Sequence, residues 1–380
     1  MLDFYRVEEL LSGEERRVRD TARRFVKDEV LPVIWEHYNA GTFPIHLVQR
    51  LGASGLLASL ADPPSATGYG LVMQELERGD SALRSFASVQ LGLVANAIKT
   101  FGSEAHKQAW LPALTSGEKI GCFGLADPRG GSDPAAMTMT ATRVADGYRL
   151  KGIKQWITNA GIAHVAVVWA RLDGTIRGFL VEREREAFIQ RPPEGQKHSL
   201  RASATGSLHF DDCFIPEENL LPGSDGLQSA LVCLNRARFG IAWGVIGAAQ
   251  ACYESALRFA EGRELFGRRL AGFQLSHEKL AQMVADITHM QLLARRLAEL
   301  VDAGTARPAD ISLAKWQNVD KACTVASTAL GMLGAVGIYD AFPVIRHHAN
   351  LIGAVATYEG TPEIHKLVIG QAVTGLKAFT

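Results

Sequence analysis

CFGLADPRGGSDP, residues 122–134, separates two kinds of sequence pattern. Before it, apolar residues recur with a helical period, as in YGLVMQELER (69–78). After it the period falls towards two and β-branched and aromatic residues cluster, as in HVAVVWARL (164–172). Helical periodicity returns after Pro222-Gly223. We therefore predict an α+β fold with an N-terminal helical domain, a middle β-domain and a C-terminal bundle of long helices, over residues 1–119, 120–225 and 226–380.

Composition excludes several classes of function. The 380 residues include 40 basic and 40 acidic side chains, so net charge gives no reason to expect nucleic acid or a membrane surface as a partner. Five cysteines without paired spacing predict free thiols and no zinc site. The start, MLDFYRVEELL, lacks the basic segment of a signal peptide, and FGIAWGVIGAAQACY (239–253) is too short to span a bilayer. We expect a cytoplasmic protein without membrane insertion.

TYEGTPEIH, residues 357–365, places Glu359 between an aromatic residue and a glycine. In isolation this glutamate fits a solvated turn better than a base in a pocket. The sequence contains no HExxH, no Walker loop and no GxGxxG after a strand. The simplest zinc-hydrolase, nucleoside-triphosphate and nicotinamide functions are therefore not indicated.

Four further stretches have both a functional and a structural interpretation. Backbone N–H groups of the loop at 122–134 could bind phosphate or carbonyl oxygens, but an ordinary strand connection fits as well. Trp156 could flank a planar cofactor or lie in the core. The glycines of GMLGAVG (331–337) allow close helix packing or contact with a ligand. A turn between helices that contains Arg263, Phe266 and Gln274 is equally compatible with a structural role.

Taken together and in this order, these stretches closely resemble the acyl-CoA dehydrogenase family, from about residue 10 to 380. Within the family the likeness is nearest to glutaryl-CoA dehydrogenases, through ELERGDSALRSFASVQ (75–90), SLRASATG (199–206) and the closing TYEGTPEIH. The resemblance implies the acyl-CoA dehydrogenase-like fold, FAD as cofactor and an acyl-CoA substrate. It also implies electron-transferring flavoprotein as the electron acceptor and a homotetramer that is a dimer of dimers.

The resemblance assigns one group of residues to FAD, partly across a subunit interface. Thr158 is expected near the flavin N5 atom. The other expected contacts are Phe123, Leu125, Ala126, Gly131, Ser132, Trp156, Ile157, Arg263, Phe266, Gln274, Gly334, Gly337, Thr361 and Glu363.

A second group of residues is assigned to the acyl-CoA. Glu359 is the expected catalytic base, which must be desolvated and close because a thioester α-proton is weakly acidic. Arg84 is expected to bind a distal carboxylate bidentately, and the alternative is a surface arginine paired with Glu77 or Asp80. The remaining expected substrate contacts are Ser85, Glu77, Val89, Ser132, Arg238, Tyr358 and Gly360.

Departures from the glutaryl-type pattern leave the acyl group open. Residues 61–68 form a shortened loop, Leu83 replaces a usual tyrosine, and Ala126 lacks the usual hydroxyl. The first hypothesis is dehydrogenation of a glutaryl-CoA-like substrate with decarboxylation. Alternatives are a substituted malonyl- or succinyl-CoA, a simple acyl-CoA or acyl-carrier thioester, and an inactive helical scaffold.

Overall fold

Three regions of secondary structure follow one another along the chain. Helices extend to Ser116, strands run from Gly121 to Pro216, and helices return at Gly226. The computed structural model describes residues 3–192 and 195–378. The predicted α+β class and its α, β, α order are confirmed. Residues 1–2 and 379–380, at the outer ends of the first and third predicted domains, lie outside the described residues.

The N-terminal helices begin and end at capping signals in the sequence. The Ser12 hydroxyl accepts a hydrogen bond from Glu15 N–H, and the Glu15 carboxylate accepts one from Ser12 N–H, at 3.1 and 2.8 Å. The two bonds form a capping box. Pro32, which cannot continue a helix, lies in the turn after the first helical segment. The helices are α1 (Gly13–Phe25), α2 (Ile34–Ala40), α3 (His46–Ala53), α4 (Leu56–Ala61), α5 (Ala66–Gly79), α6 (Ser81–Ala87), α7 (Asn96–Phe101) and α8 (Glu104–Ser116).

A mixed sheet forms the middle region. Its strands are β1 (Gly121–Gly124), β2 (Thr140–Val144), β3 (Gly147–Ile157), β4 (Val165–Leu172), β5 (Thr175–Glu182), β6 (Phe188–Arg191) and β7 (Gly206–Pro216). Strand β4 pairs parallel with β1 and β2 and antiparallel with β5. It is buried on both faces, since Trp169 packs towards the helices near Phe101 while Val168 belongs to a separate core within the sheet region.

Long helices form the C-terminal region, as predicted. They are α9 (Gly226–Gly262), α10 (Gln274–Asp302) and α11 (Pro308–Leu333), followed by α12 (Val344–Asn350) and α13 (Pro362–Thr374). A two-stranded hairpin, β8 (Glu264–Leu265) with β9 (Arg268–Arg269), fills the turn between α9 and α10. Residues 239–253 lie inside α9, where Gly240 and Gly247 let α5 approach closely.

One helical segment of the described chain, Pro308–Ile338, is long and apolar enough to cross a membrane, with a mean hydropathy of 1.4. It contains α11, which packs against α9, α10 and α13. Buried core helices have the same composition, and Val325 and Ala329 on α11 are fully buried. This segment alone is therefore weak support for a membrane span.

Two π-helical segments follow directly after α6 and α12. Ser88–Ala95 continues α6, and Leu351–Val355 continues α12 towards Glu359. A π-helical turn shifts the side chains that follow it around the helix axis and is frequent at functional sites. Both segments lie within a few residues of side chains assigned from the sequence to the acyl site.

Candidate active site

The loop that carries Glu359 has an unusual backbone. Glu359 has a φ of 54° and Gly360 a φ of 109°, in the left-handed region that residues other than glycine rarely adopt. Thr361 ends the loop by capping α13, where its hydroxyl accepts a hydrogen bond from Ile364 N–H at 3.4 Å. A glutamate held in this conformation indicates a position fixed by its surroundings, as occurs at functional sites.

Two cationic side chains bind the backbone carbonyl groups of this loop. Lys315 Nζ, from α11, donates to the Gly360 and Tyr358 carbonyl oxygens at 2.8 and 3.1 Å. Arg238 Nε, from α9, donates to the Glu359 carbonyl oxygen at 2.7 Å. The loop is therefore held by hydrogen bonds from α9 and α11 of the C-terminal bundle.

The carboxyl group of Glu359 lies in a desolvated position. Its Oε2 atom is buried and has no hydrogen-bond partner, although other atoms of the residue keep some exposure. Burial raises the pKa of Glu359 above its usual value, and the charges of Arg84, Arg238 and Lys315 oppose this rise. A carboxylate with a raised pKa is a stronger proton acceptor once ionised.

Arg84 is completely buried in α6, with 0% of its side chain exposed. Its Nε atom lies 2.5 Å from Glu77 Oε2, and Glu77 Oε1 accepts a hydrogen bond from the Ser81 hydroxyl at 2.7 Å. The guanidinium group lies 5.3 Å from the centre of the Tyr358 ring, next to Glu359 in sequence. The alternative interpretation of Arg84 is a surface arginine paired with Glu77 or Asp80. The pairing with Glu77 is correct, and the surface location is wrong.

Several buried polar groups around Arg84 lack partners. Both terminal nitrogens of Arg84 and the hydroxyls of Ser85 and Ser88 are buried without a hydrogen bond. The Tyr358 and Tyr69 hydroxyls and Trp243 Nε1 share this property, and Val89 is buried nearby on the same helical stretch. Burial of polar groups without partners is unfavourable, so the cluster has the character of a site that a polar ligand completes.

Asp80 connects the helix of Arg84 to the helix that precedes Glu359. Its Oδ1 accepts a hydrogen bond from Ala82 N–H at the start of α6, at 2.7 Å. Its Oδ2 accepts from Arg346 Nη1 and Asn350 Nδ2 of α12, at 2.7 and 3.1 Å. Asp80 therefore pairs with Arg346, and the considered pairing with Arg84 is wrong.

The loop at 122–134 is fixed by a buried ion pair that the sequence did not reveal. Lys154 Nζ donates to Asp127 Oδ1 at 2.7 Å and to the Leu125 carbonyl at 2.8 Å. Burial alone would raise the pKa of Asp127, but the hydrogen bond and charge of Lys154 hold it below its usual value. Of the other predicted contacts in this segment, Phe123 is buried, Ala126 is partly buried, and Gly131 and Ser132 are exposed.

Trp156 lies on the surface, with 58% of its area exposed and a φ of 57°. The alternative of a core tryptophan is wrong. Ile157 beside it is buried and Thr158 is partly buried. The exposed indole ring of Trp156 offers a flat surface on which a planar aromatic ligand can stack, and the hydroxyl group of Thr158 follows two residues later.

Other residues assigned to the cofactor lie on the surface of the single chain. Phe266 is 94% exposed on the β8–β9 hairpin, and Arg263, Gln274 and Glu363 are exposed as well. Gly334, with a φ of 60°, is also exposed. The contacts of Arg263, Phe266, Gln274 and Gly334 with the cofactor of a neighbouring subunit stay predictions. The contact of Glu363 with the flavin also stays a prediction.

Gly337 differs from Gly334 because it is buried. A Cβ atom added to it would lie 2.9 Å from Leu333 Cβ and 3.0 Å from Leu330 Cδ1. Close packing against the end of α11 therefore accounts for a glycine here, and the assignment of Gly337 to the cofactor stays a prediction.

Metal and disulfide chemistry have no support in the described residues. Within 3–192 and 195–378, no group of three His, Cys, Asp or Glu side chains could hold a metal ion. The five cysteines are free thiols, as predicted.

Sequence reasoning missed Lys315, Tyr69 and Trp243. Lys315 occupies a buried position of α11 in the same helical register as Ile311 and Ala322. A lone lysine on the apolar face of a long helix is a signal that periodicity could have detected. Tyr69 and Trp243 carry no such signal, because aromatic residues in apolar stretches usually belong to the core.

Comparison with known proteins identifies the same three regions. The N-terminal, middle and C-terminal domains of acyl-CoA dehydrogenase match residues 12–118, 122–213 and 224–374. Together these family models cover most of the chain.

Similar proteins match over nearly their whole length. A glutaryl-CoA dehydrogenase from Mycobacterium smegmatis is 47% identical with a TM-score of 0.96, covering 98% of this chain and 97% of that one. Another from the same organism, in complex with FADH2, is 41% identical with a TM-score of 0.97, covering 100% and 99%. The mitochondrial short-chain specific acyl-CoA dehydrogenase of Rattus norvegicus is 35% identical, covering 94% of this chain and 90% of the relative.

Proposed function

The chain belongs to the acyl-CoA dehydrogenase family, and on this premise we propose that it oxidises a CoA thioester whose acyl chain ends in a carboxylate. The coarser activity is that of a flavin-dependent acyl-CoA dehydrogenase. The finer assignment, the carboxylated acyl group, is argued from the side chains around Glu359 and Arg84.

FAD is the cofactor of this enzyme. It supplies the redox chemistry when bound, by accepting the hydride that leaves Cβ of the acyl chain. The described residues fit such a group, since Trp156 presents an exposed flat face and Lys154 fixes the loop that contains Leu125. Ala126 in that loop offers no side-chain hydroxyl, so only its backbone atoms can form hydrogen bonds with the cofactor.

Glu359 is the base in this proposal. Its unpartnered, buried Oε2 is free to accept the α-proton, and its raised pKa suits proton abstraction from a weak carbon acid. Arg238 and Lys315 hold the loop backbone, so the carboxyl group keeps its position when the proton arrives. Positioning of this kind contributes to catalysis because the reacting atoms meet without further ordering.

Arg84 carries the substrate assignment. One edge of its guanidinium group is bound by Glu77, whereas both terminal nitrogens are buried without partners. Two parallel N–H donors match the two oxygens of a carboxylate. The hydroxyls of Ser85 and Ser88 provide further donors in the same buried region. A distal carboxylate on the acyl chain would satisfy these groups and would leave the Arg84–Glu77 pair intact.

A carboxylate at the γ-carbon also permits decarboxylation after the oxidation. Once the α,β-double bond is formed, the bond between the γ-carbon and the carboxylate carbon breaks and carbon dioxide leaves. The electron pair of the broken bond stays on the acyl chain and forms a dienolate that extends to the thioester carbonyl. Glu359, protonated in the first step, returns a proton to carbon and gives the enoyl-CoA. Proton and electron counts balance without any further reactant.

A second candidate is the oxidation of a simple short acyl-CoA, with Arg84 in a structural role. Its support is the 35% identity to a short-chain specific relative and the presence of Glu77, which already neutralises Arg84. A substituted malonyl- or succinyl-CoA is the third possibility, because the residues at 61–68 and Leu83 depart from the glutaryl-type pattern.

We further propose that the enzyme is a homotetramer, a dimer of dimers, that passes electrons to electron-transferring flavoprotein. The exposed Phe266 and Ile338 on separate surface elements support burial by another subunit. The expected cytoplasmic location stays a prediction.

A substrate screen tests the proposal. Purified enzyme with FAD is mixed with glutaryl-CoA, substituted malonyl-CoA, succinyl-CoA and butyryl-CoA, and both flavin bleaching and carbon dioxide are measured. We expect faster bleaching with a dicarboxylic acyl-CoA than with butyryl-CoA, accompanied by carbon dioxide. Bleaching by butyryl-CoA alone would overturn the carboxylate assignment, and bleaching by glutaryl-CoA without carbon dioxide would overturn the decarboxylation.

A further inference from the structure

Lys315 is a buried lysine whose hydrogen bonds go to backbone carbonyl groups. It lies in α11 with 1% exposure. Its Nζ atom donates to the carbonyl oxygens of Gly360, Tyr358 and Ala356, at 2.8, 3.1 and 3.4 Å. A buried ammonium group is stable only when its donors are satisfied. One side chain thus binds three carbonyl groups of the loop on both sides of Glu359.

A small cavity borders the loop on the side of Lys315. Its volume is about 40 Å³, and Lys315, Trp316, Cys323 and His365 are among its lining residues. A loop next to a cavity has fewer apolar contacts to fix it. The ammonium group provides directional contacts to the loop at this place.

Several charged or titratable groups surround the Lys315 ammonium group. They are Glu359 on the loop, Arg238 on α9, Arg84 on α6, Cys323 on α11 itself and His365 on α13. Burial lowers the pKa of Lys315 to about 7, and the charge of Glu359 partly opposes this change. In the other direction, the positive charge of Lys315 lowers the pKa of Glu359. The two ionisations are therefore coupled.

We propose that Lys315 is a positioning residue for the base: it fixes the Glu359 loop through the three carbonyl groups, and its charge stabilises the ionised carboxylate. This inference rests on the proposed role of Glu359 as a base, but it does not depend on which acyl group is oxidised. Arg238 shares the first task through the Glu359 carbonyl, so the loop keeps one cation when Lys315 is replaced.

Three substitutions separate the two parts of the role. Lys315→Met removes both the donors and the charge. Lys315→Gln keeps amide donors without the charge, and Lys315→Arg keeps the charge. Lys279→Met, at an exposed position of α10, is the matched control. For each enzyme with FAD, kcat and kcat/KM for flavin reduction are measured from pH 5 to 9, with any acyl-CoA that the unaltered enzyme oxidises.

We expect the acidic limb of the kcat/KM profile to move to higher pH by about one unit in Lys315→Gln and Lys315→Met. Lys315→Arg and Lys279→Met should keep the original limb. In Lys315→Met, kcat on the alkaline plateau should also fall by about tenfold or more, because the loop has lost its donors. Lys315→Gln should keep more of the plateau rate than Lys315→Met.

If the acidic limb of the kcat/KM profile stays in place in Lys315→Gln, the charge of Lys315 does not stabilise the ionised carboxylate of Glu359, and this part of the proposal is wrong. If kcat on the alkaline plateau is the same in Lys315→Met and in the unaltered enzyme, Lys315 does not position the Glu359 loop, and that part of the proposal is wrong. Should Lys315→Met fail to fold, Lys315→Gln and Lys315→Arg decide the question, and identical acidic limbs in these two would contradict the proposal. A lack of preference for carboxylated substrates, which would contradict the proposed function, leaves this test intact.

Discussion

Asp80 and Arg346 form a buried ion pair across the two helical regions, with 2.7 Å between Asp80 Oδ2 and Arg346 Nη1. The same carboxylate caps α6, which carries Arg84, while Arg346 lies on α12, which leads to Glu359. One aspartate therefore sets the position of α6, which carries Arg84, relative to α12, which leads to Glu359. The carbonyl of Gly79 also accepts from Arg346 Nη1, at 2.7 Å, and reinforces this link.

Asp80→Ala should destabilise the protein by about 3–5 kcal/mol, because it leaves the Arg346 charge buried without its partner. Denaturant unfolding of the enzyme with FAD measures this change. The matched control is Glu104→Ala, which removes the partner of Lys107 in an exposed pair on α8 and should change stability by less than about 1 kcal/mol. Equal losses for the two variants would show that Asp80 has no special structural role.

Gly244→Ala tests how closely α9 approaches the Arg84–Glu77 pair. An added Cβ atom would lie 2.5 Å from Glu77 Oε2 and 3.3 Å from Arg84 Nε, so the pair must shift. We expect a loss of about 1–3 kcal/mol in stability and a larger KM for the carboxylated substrate. Thermal unfolding and steady-state kinetics measure both effects.

Gly370→Ala on α13 is the control for this substitution, since a Cβ atom there meets no atom within 4 Å. Alanine favours a helix over glycine, so this variant should gain up to about 1 kcal/mol with unchanged kinetics. Normal kinetics in Gly244→Ala would mean that the ion pair tolerates displacement and that its position does not control substrate binding.

His365 should make the folded state sensitive to mild acid. Burial, with the nearby charges of Lys315 and Arg238, lowers its pKa to about 3 from a usual value of 6.5. As pH falls below 6.5, the unfolded chain takes up a proton at this position whereas the folded chain does not. Stability from this group is therefore present above pH 6.5 and is lost progressively towards pH 3.

His365→Gln removes this titration. Between pH 6.5 and 5 the unaltered protein should lose about 2 kcal/mol more than the variant. Denaturant unfolding at a series of pH values provides the comparison, and His277→Gln, at an exposed position, serves as the control. Parallel curves for the unaltered protein and His365→Gln would contradict a neutral, buried His365.

Local patterns in the sequence predicted the architecture well, for physical reasons. The helical period at 69–78, the strand pattern at 164–172 and the return of helical periodicity after Pro222-Gly223 each depend on neighbours close in the chain. Such features specify elements and their order, and here they agreed with the structure.

Long-range contacts could not be predicted in the same way. Lys315 meets the carbonyl of Gly360, 45 positions later, and Asp80 meets Arg346 across most of the chain. Periodicity can indicate that such a residue is buried, but it does not indicate which distant residue forms a hydrogen bond or ion pair with it. The burial of Arg84 and the exposure of Trp156 likewise depend on how distant parts of the chain pack.

The central claim is that Arg84 binds a carboxylate of the acyl chain. Its most direct measurement is the ratio of kcat/KM for glutaryl-CoA to that for butyryl-CoA, in the unaltered enzyme and in the double variant Glu77→Gln/Arg84→Met. The double variant removes both members of the buried pair, so no uncompensated charge is left behind. We expect the ratio to fall by about a hundredfold or more, since a bidentate charged contact is lost, while butyryl-CoA oxidation persists. An unchanged ratio, with both enzymes folded and FAD bound, would contradict the claim.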